Sequence, residues 1–202
     1  MKKSLKNVVC LLALVAITAP SFAAIDGSAH DFEAASWNTT DQDICGVCHT
    51  PHGGAAVTGA PLWGHDQIAG TGYSMYVGTD MDWGTAPTAP DGTSLLCLSC
   101  HDGTLPLDTG GAATLMGAVN ADAVVGPILT GSHPISFVYN TSAAADTEIK
   151  TADATIDGWL DGGTGGKVQC SSCHDVHNTP GVASLLRISN TGSQLCLTCH
   201  DK

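Results

Sequence analysis

Cys45-Gly46-Val47-Cys48-His49 decides how the rest of the chain is read, and its spacing returns at Cys97–His101, Cys170–His174 and Cys196–His200. In Cys-x-x-Cys-His, two thiols one helical turn apart precede an imidazole, which is the attachment pattern of c-type haem. The thiols add across two vinyl groups of the porphyrin, and the imidazole binds the iron from one side. One copy alone would equally suit a thiol redox pair or half of a zinc site. Four copies use every cysteine except Cys10. A disulfide framework has no use for a histidine after each pair, and neither does a pair of four-cysteine zinc sites. The expected cofactors are therefore four haem c groups.

Cys10 lies in a segment that reads as an export signal. Lys2, Lys3 and Lys6 form a basic start, Val8 to Ala19 is an apolar run too short to span a bilayer, and Ser21-Phe22-Ala23 offers small residues at a cleavage site. Residues 1–23 are the expected signal peptide, with cleavage after Ala24 as the alternative. No later segment is apolar enough for a transmembrane anchor. Removing 23 of the 202 residues leaves Lys150, Lys167, Arg187 and Lys202 as the only Lys or Arg against all 19 acids, a balance of −15. Such a surface excludes nucleic acid and anionic membranes as partners. It suits metal ions or a basic redox partner protein, and it also keeps an exported chain soluble.

The intervening sequence is poor in regular structure. Residues 24–43 are polar, with Trp37 as the large aromatic. Residues 53–90 are rich in Gly, Pro, Thr and Ala and read as irregular loop, punctuated by Leu62, Trp63, Tyr73, Met75 and Tyr76. These apolar residues are expected on porphyrin faces and not in a separate core. Ser94–His101 reads as a short helix, stopped by Asp102-Gly103. His133–Tyr139 alternates as a short strand. Residues 143–157 suit a surface helix, residues 184–188 a helical turn, and Gln194–His200 a last short helix. Aromatics are only 5% of the chain, so a core of side chains alone would be thin. The expected fold has few secondary structures: a loop-rich, haem-organised multihaem cytochrome c with short helices and little β.

An internal duplication sharpens this. Cys45-x-x-Cys48-His49-x-x-His52 matches Cys170-x-x-Cys173-His174-x-x-His177. Leu96-Cys97-Leu98-Ser99-Cys100-His101-Asp102 matches Leu195-Cys196-Leu197-Thr198-Cys199-His200-Asp201. His30 and His133 precede the two halves, so residues 24–202 form one domain duplicated roughly as 24–115 and 116–202. Of nine histidines, His49, His101, His174 and His200 are the proximal ligands. His30, His52, His133 and His177 fit the repeat and are the expected distal ligands. His65 is the spare and the alternative to His30. Three residues after its proximal histidine, His52 or His177 lies on the same side of a helical turn. Neither can swing to the far face of its own haem, so each is expected to serve a neighbouring one. Met75, Met81 and Met116 are alternative axial ligands that the supply of histidines makes unnecessary. Irons closed on both sides point to electron transfer and away from an enzyme, so no catalytic residue is assigned.

LLCLSCHDGT, HPISFVY, CSSCHDVH and LCLTCHDK resemble the doubled-CxxCH multihaem c-type cytochromes of metal-reducing bacteria, most of all the tetrahaem OmcE-type subunits of extracellular cytochrome filaments. The resemblance runs from Cys45 to His200, most of the chain after the signal. It implies conduction along stacked haems and assembly with other copies of the same chain. It also implies that His30 completes a haem of a neighbouring subunit, an open-ended contact that gives a fibre. Extracellular metal acceptors or redox partner proteins would then receive the electrons. The location is the cell exterior or surface, or, for a discrete carrier, the periplasm.

Overall fold

Leu95, Leu96 and Leu98 sit in a run without helix breakers, and helix α1 (Gly92–His101) forms there. The computed structural model describes residues 25–40, 42–57, 59–65, 70–77, 85–108 and 113–202, and among these residues α1 is the longest helix. The expected signal peptide and Met81 lie outside the described residues. No helix among those described is long and apolar enough to cross a membrane. The Asp161 carboxylate accepts from the Thr93 N–H at 3.1 Å, placing negative charge at the amino end of α1. Asp102 closes the other end, its N–H donating to Leu98 O, and Gly103 follows at φ 77°.

The remaining helices are short: α2 (Met116–Val119), α3 (Tyr139–Ala145), α4 (Ala154–Trp159), α5 (Cys170–Cys173) and α6 (Gln194–Cys199). Strands β1 (Ala55–Val57) and β2 (Ala60–Trp63) form one antiparallel hairpin, and β3 (Phe137–Val138) pairs with β4 (Lys167–Val168). The rest of the described residues are short 3-10 turns (Ala121–Ala123, Leu129–Gly131, Ala183–Leu185 and Thr191–Ser193), other turns and loop, the loop-rich, low-β fold that the composition predicts. Local details differ from the sequence reading. Residues 53–90 contain the β1–β2 hairpin. The span 143–157 is divided between α3 and α4, because Asp153 caps a fresh helix, accepting from Thr155 N at 2.8 Å and Ile156 N at 2.9 Å. The strand expected at His133–Tyr139 is confined to Phe137 and Val138, since Ser136 is left-handed and Tyr139 begins α3.

Among the described residues, three small apolar clusters take the place of a single core, and each backs at least one cysteine. Trp37, Val47, Leu107 and Met116 pack beside Cys48 and Cys100; Tyr76, Leu98, Leu129 and Ile135 beside Cys170; Phe137, Tyr139, Ile156, Leu160 and Val168 beside Cys199. Tyr76 thus belongs to a side-chain cluster, while Leu62 is half exposed.

A buried polar lattice joins the two halves of the duplication. Gln169, 1% exposed, accepts from Ser94 Oγ and from Ser136 Oγ (3.1 Å) and donates to Asp91 Oδ1 (2.7 Å). Ser94 Oγ in turn accepts from the Cys170 N–H at 3.0 Å. Lys167 pairs with Asp91. A buried amide left without partners costs about 1–3 kcal/mol, so this lattice locks α1 against α5.

Candidate haem sites

Each Cys-x-x-Cys-His forms one helical turn, which puts both thiols and the imidazole on one side. In motifs 1, 3 and 4 the histidine N–H donates to the carbonyl of the first cysteine: His49 to Cys45 (2.8 Å), His174 to Cys170 (3.0 Å) and His200 to Cys196 (2.9 Å). In motif 2 the same turn is the end of α1. Asp43 caps the first turn, accepting from Cys45 N (2.7 Å) and Gly46 N (2.6 Å). Gln169 and Ser172 form a capping box on the third.

The structure then brings histidines together in pairs. The ring centres of His30 and His101 are 6.0 Å apart, those of His49 and His177 6.3 Å, and those of His133 and His200 6.2 Å. Each pair holds one motif histidine and one of the four that fit the repeat. Two imidazoles bonded through nitrogen to opposite sides of one metal ion, each at ~2 Å, have ring centres about 6 Å apart. The donor set and its spacing therefore fit c-type haem. His177 faces His49, on the other CxxCHxxH unit. His174 and His52 are the two repeat members left outside these three pairs; both are exposed, His52 on the turn after motif 1.

Hydrogen bonds select the nitrogen that four of the imidazoles offer. His49 Nδ1 lies 2.8 Å from Pro61 O, His101 Nδ1 2.7 Å from Ala123 O, and His174 Nδ1 3.0 Å from Ser184 O. A carbonyl only accepts, so Nδ1 carries the proton and Nε2 keeps its lone pair for iron. His133 is held the same way by Pro134 O at 2.9 Å. His65 is the opposite case. It is buried, its Nε2 donates to Pro106 O at 2.7 Å, and that nitrogen lies 3.8 Å from Cys100 Sγ. The nitrogen that His49, His101, His133 and His174 leave for iron is committed elsewhere in His65, which packs beside an attachment cysteine.

Burial, then the neighbouring imidazoles of His101 and His174, push His30 down to about 4. It stays neutral near pH 7, as a metal ligand must. Burial and His133 also lower His200, against the opposing pull of Asp146 and Glu148.

The attachment cysteines adjoin one another in chain order. Cys48 is pushed up to about 11 by burial and by the nearby Cys100 thiol. The neighbouring Cys170 thiol, then burial, raises Cys97. Cys173 is raised to about 11 by burial, with Cys199 the next cause. Motifs 1 and 2, 2 and 3, and 3 and 4 therefore lie side by side.

A second backbone segment clamps three of the motifs with the same two bonds. Thr50 N donates to Leu62 O (2.8 Å) and Gly64 N to Cys48 O (2.9 Å); Asp175 N donates to Leu185 O (2.7 Å) and Arg187 N to Cys173 O (2.9 Å). In motif 4, Asp201 N donates to Glu148 O and Lys150 N to Cys199 O, both at 2.8 Å. Sequence reasoning misses these clamps because their functional groups are main-chain carbonyls. The one trace is a repeat, Ala60-Pro61-Leu62-Trp63 against Ala183-Ser184-Leu185-Leu186.

The doubled CXXCH motif family matches residues 164–202, which hold motifs 3 and 4. No curated protein matches the chain. The family match and the motif chemistry support a multihaem c-type cytochrome that works in electron transfer, with covalently bound c-type haem as its cofactor.

Proposed function

We propose that the chain carries four haem c groups, each closed on both sides by its own histidines, and conducts electrons among them. The observation that carries this reading is the three imidazole pairs at 6.0–6.3 Å, each joining a motif histidine to a spare one. The residues that would hold the four haems are then His101 with His30, His49 with His177, and His200 with His133, leaving His174 with His52. Haem iron supplies one-electron chemistry by cycling between ferric and ferrous states. The residues hold that chemistry in place. Paired imidazoles would leave no position on the metal open to a substrate, which suits electron transfer and not catalysis. The reciprocal use of His52 and His177 ties the two CxxCHxxH units together, and the adjoining cysteines keep neighbouring macrocycles close.

Haem content of the purified protein tests this. Four haems per chain, all low-spin and unresponsive to carbon monoxide when reduced, are expected. Three or fewer haems, or a carbon monoxide response from a quarter of them, would overturn it.

Assembly with other copies into an extracellular filament is the further reading that the resemblance implies. The exposed thiols of Cys45 and Cys196, in the first and last motifs, support it, because haems at both ends of the series would meet the surface. His30 faces His101 of its own chain, so it closes a haem internally in this reading and does not bridge subunits. Export to the cell surface, and acceptors that are metal ions or redox proteins with basic faces, fit the acidic balance. Electron micrographs of His30→Ala separate the two roles. Filaments with one opened iron per chain favour internal ligation, and loss of filaments favours a bridge. Single particles from the parent protein under all conditions would leave the discrete periplasmic carrier.

A further inference from the structure

Leu62 and Leu185 both adopt left-handed backbone, at φ 57° and 55°. That conformation is uncommon for a residue with a bulky side chain, and an observed outlier of this kind calls for a function. Side-chain surroundings do not explain it, since Leu62 is 49% exposed and Leu185 is buried. The shared feature is what their carbonyls do. Pro61 O accepts from His49 Nδ1 and Leu62 O from Thr50 N; Ser184 O accepts from His174 Nδ1 and Leu185 O from Asp175 N. Consecutive carbonyls of an extended strand point to opposite sides. Here two in succession converge on one motif; the left-handed leucine between them makes that turn at motif 1, and at motif 3 Leu185 makes it together with Ser184, itself left-handed at φ 59°. The chain also clears space for it. A Cβ on Gly54 would lie 2.7 Å from both the carbonyl carbon and the oxygen of Leu62. Motif 2 provides a control. Its acceptor, Ala123, is followed by Val124 at an ordinary φ of −80°.

We propose that Leu62 and Leu185 are positioning residues that aim a backbone carbonyl at Nδ1 of His49 and His174, and so set the donor strength of these two haem ligands as a matched pair. A held Nδ1–H makes the ligating Nε2 more basic and favours ferric iron, which lowers the potential. The inference rests on the reading that both histidines bind haem.

The test compares Leu62→Val with Leu62→Asn in the haem-loaded protein. Valine, branched at Cβ, resists left-handed backbone, whereas asparagine tolerates it. In Leu62→Val one of the four potentials should rise, and exchange of the His49 Nδ1 proton should quicken by about tenfold, roughly the factor carried by one ordinary hydrogen bond. Haem content and low-spin ligation should stay at the parent values. Leu62→Asn should behave as the parent. The Leu185 pair should move a different haem. If Leu62→Val fails to fold, Gly54→Ala presses on the same backbone and should raise the same potential. Unmoved potentials in folded Leu62→Val, or equal shifts in the valine and asparagine variants, would overturn the proposal. Failure of the haem reading itself would show separately, as missing haem at Cys45–His49 in the parent protein.

Discussion

Leu96–Asp102 and Leu195–Asp201 differ at one residue, Ser99 against Thr198, yet they live in different surroundings. Leu98 is 1% exposed and packs with Tyr76, Leu129 and Ile135, whereas Leu197 is 38% exposed. Asp102 is buried and accepts from Tyr73 OH (2.7 Å) and from Thr104 N (2.8 Å), whereas Asp201 is exposed. The cause lies outside the motif. Helix α1 leans on α5 through the Ser94–Gln169 lattice. Helix α6 instead follows left-handed Gly192 and Ser193 and buries none of its residues. One motif thus supplies the same ligand chemistry in a buried and an open setting, and solvent exposure is one of the means by which a haem's potential is set.

The largest effect that separates the two settings should come from their distal ligands. His30→Ala and His133→Ala should each open one iron in four to carbon monoxide, read as a spectral change in a quarter of the haem. Added imidazole should restore the exposed His133 site faster than the His30 site, and equal rates would erase the contrast. Next comes packing. Leu98→Ala should cost about 2–5 kcal/mol in denaturant unfolding of the haem-loaded protein, while Leu197→Ala should stay within about 1 kcal/mol. Asp102→Ala removes the acceptor for Tyr73 and Thr104 and should cost about 1–3 kcal/mol; Asp201→Ala should leave the unfolding midpoint within about 0.5 kcal/mol of the parent. The smallest effect belongs to the ion pair of Glu148 with Lys202, whose side chains are 56% and 62% exposed. Glu148→Gln should give no measurable change in the midpoint, because solvent screens such a pair.

The sequence by itself determined the chemistry that the chain carries: four Cys-x-x-Cys-His motifs, a matching supply of imidazoles, an acidic balance and too little aromatic residue for a large core. It also specified α1 and α6, because apolar residues without breakers, ended by Asp102-Gly103 in one case, are local signals. The partner of each imidazole was not legible, since His30 meets His101 within one half, and His177 meets His49 across the duplication, only through folding. The role of His65 was not legible either; Pro106 O decides which of its nitrogens carries the proton. Only the tertiary structure buried one LCLxCHD motif and exposed the other, and only it turned Leu62 and Leu185 left-handed to present two successive carbonyls. The physical reason is common to all of these. A side chain's chemistry is written in its own residue, whereas solvent exposure, tautomer and backbone direction depend on atoms brought near from elsewhere in the chain.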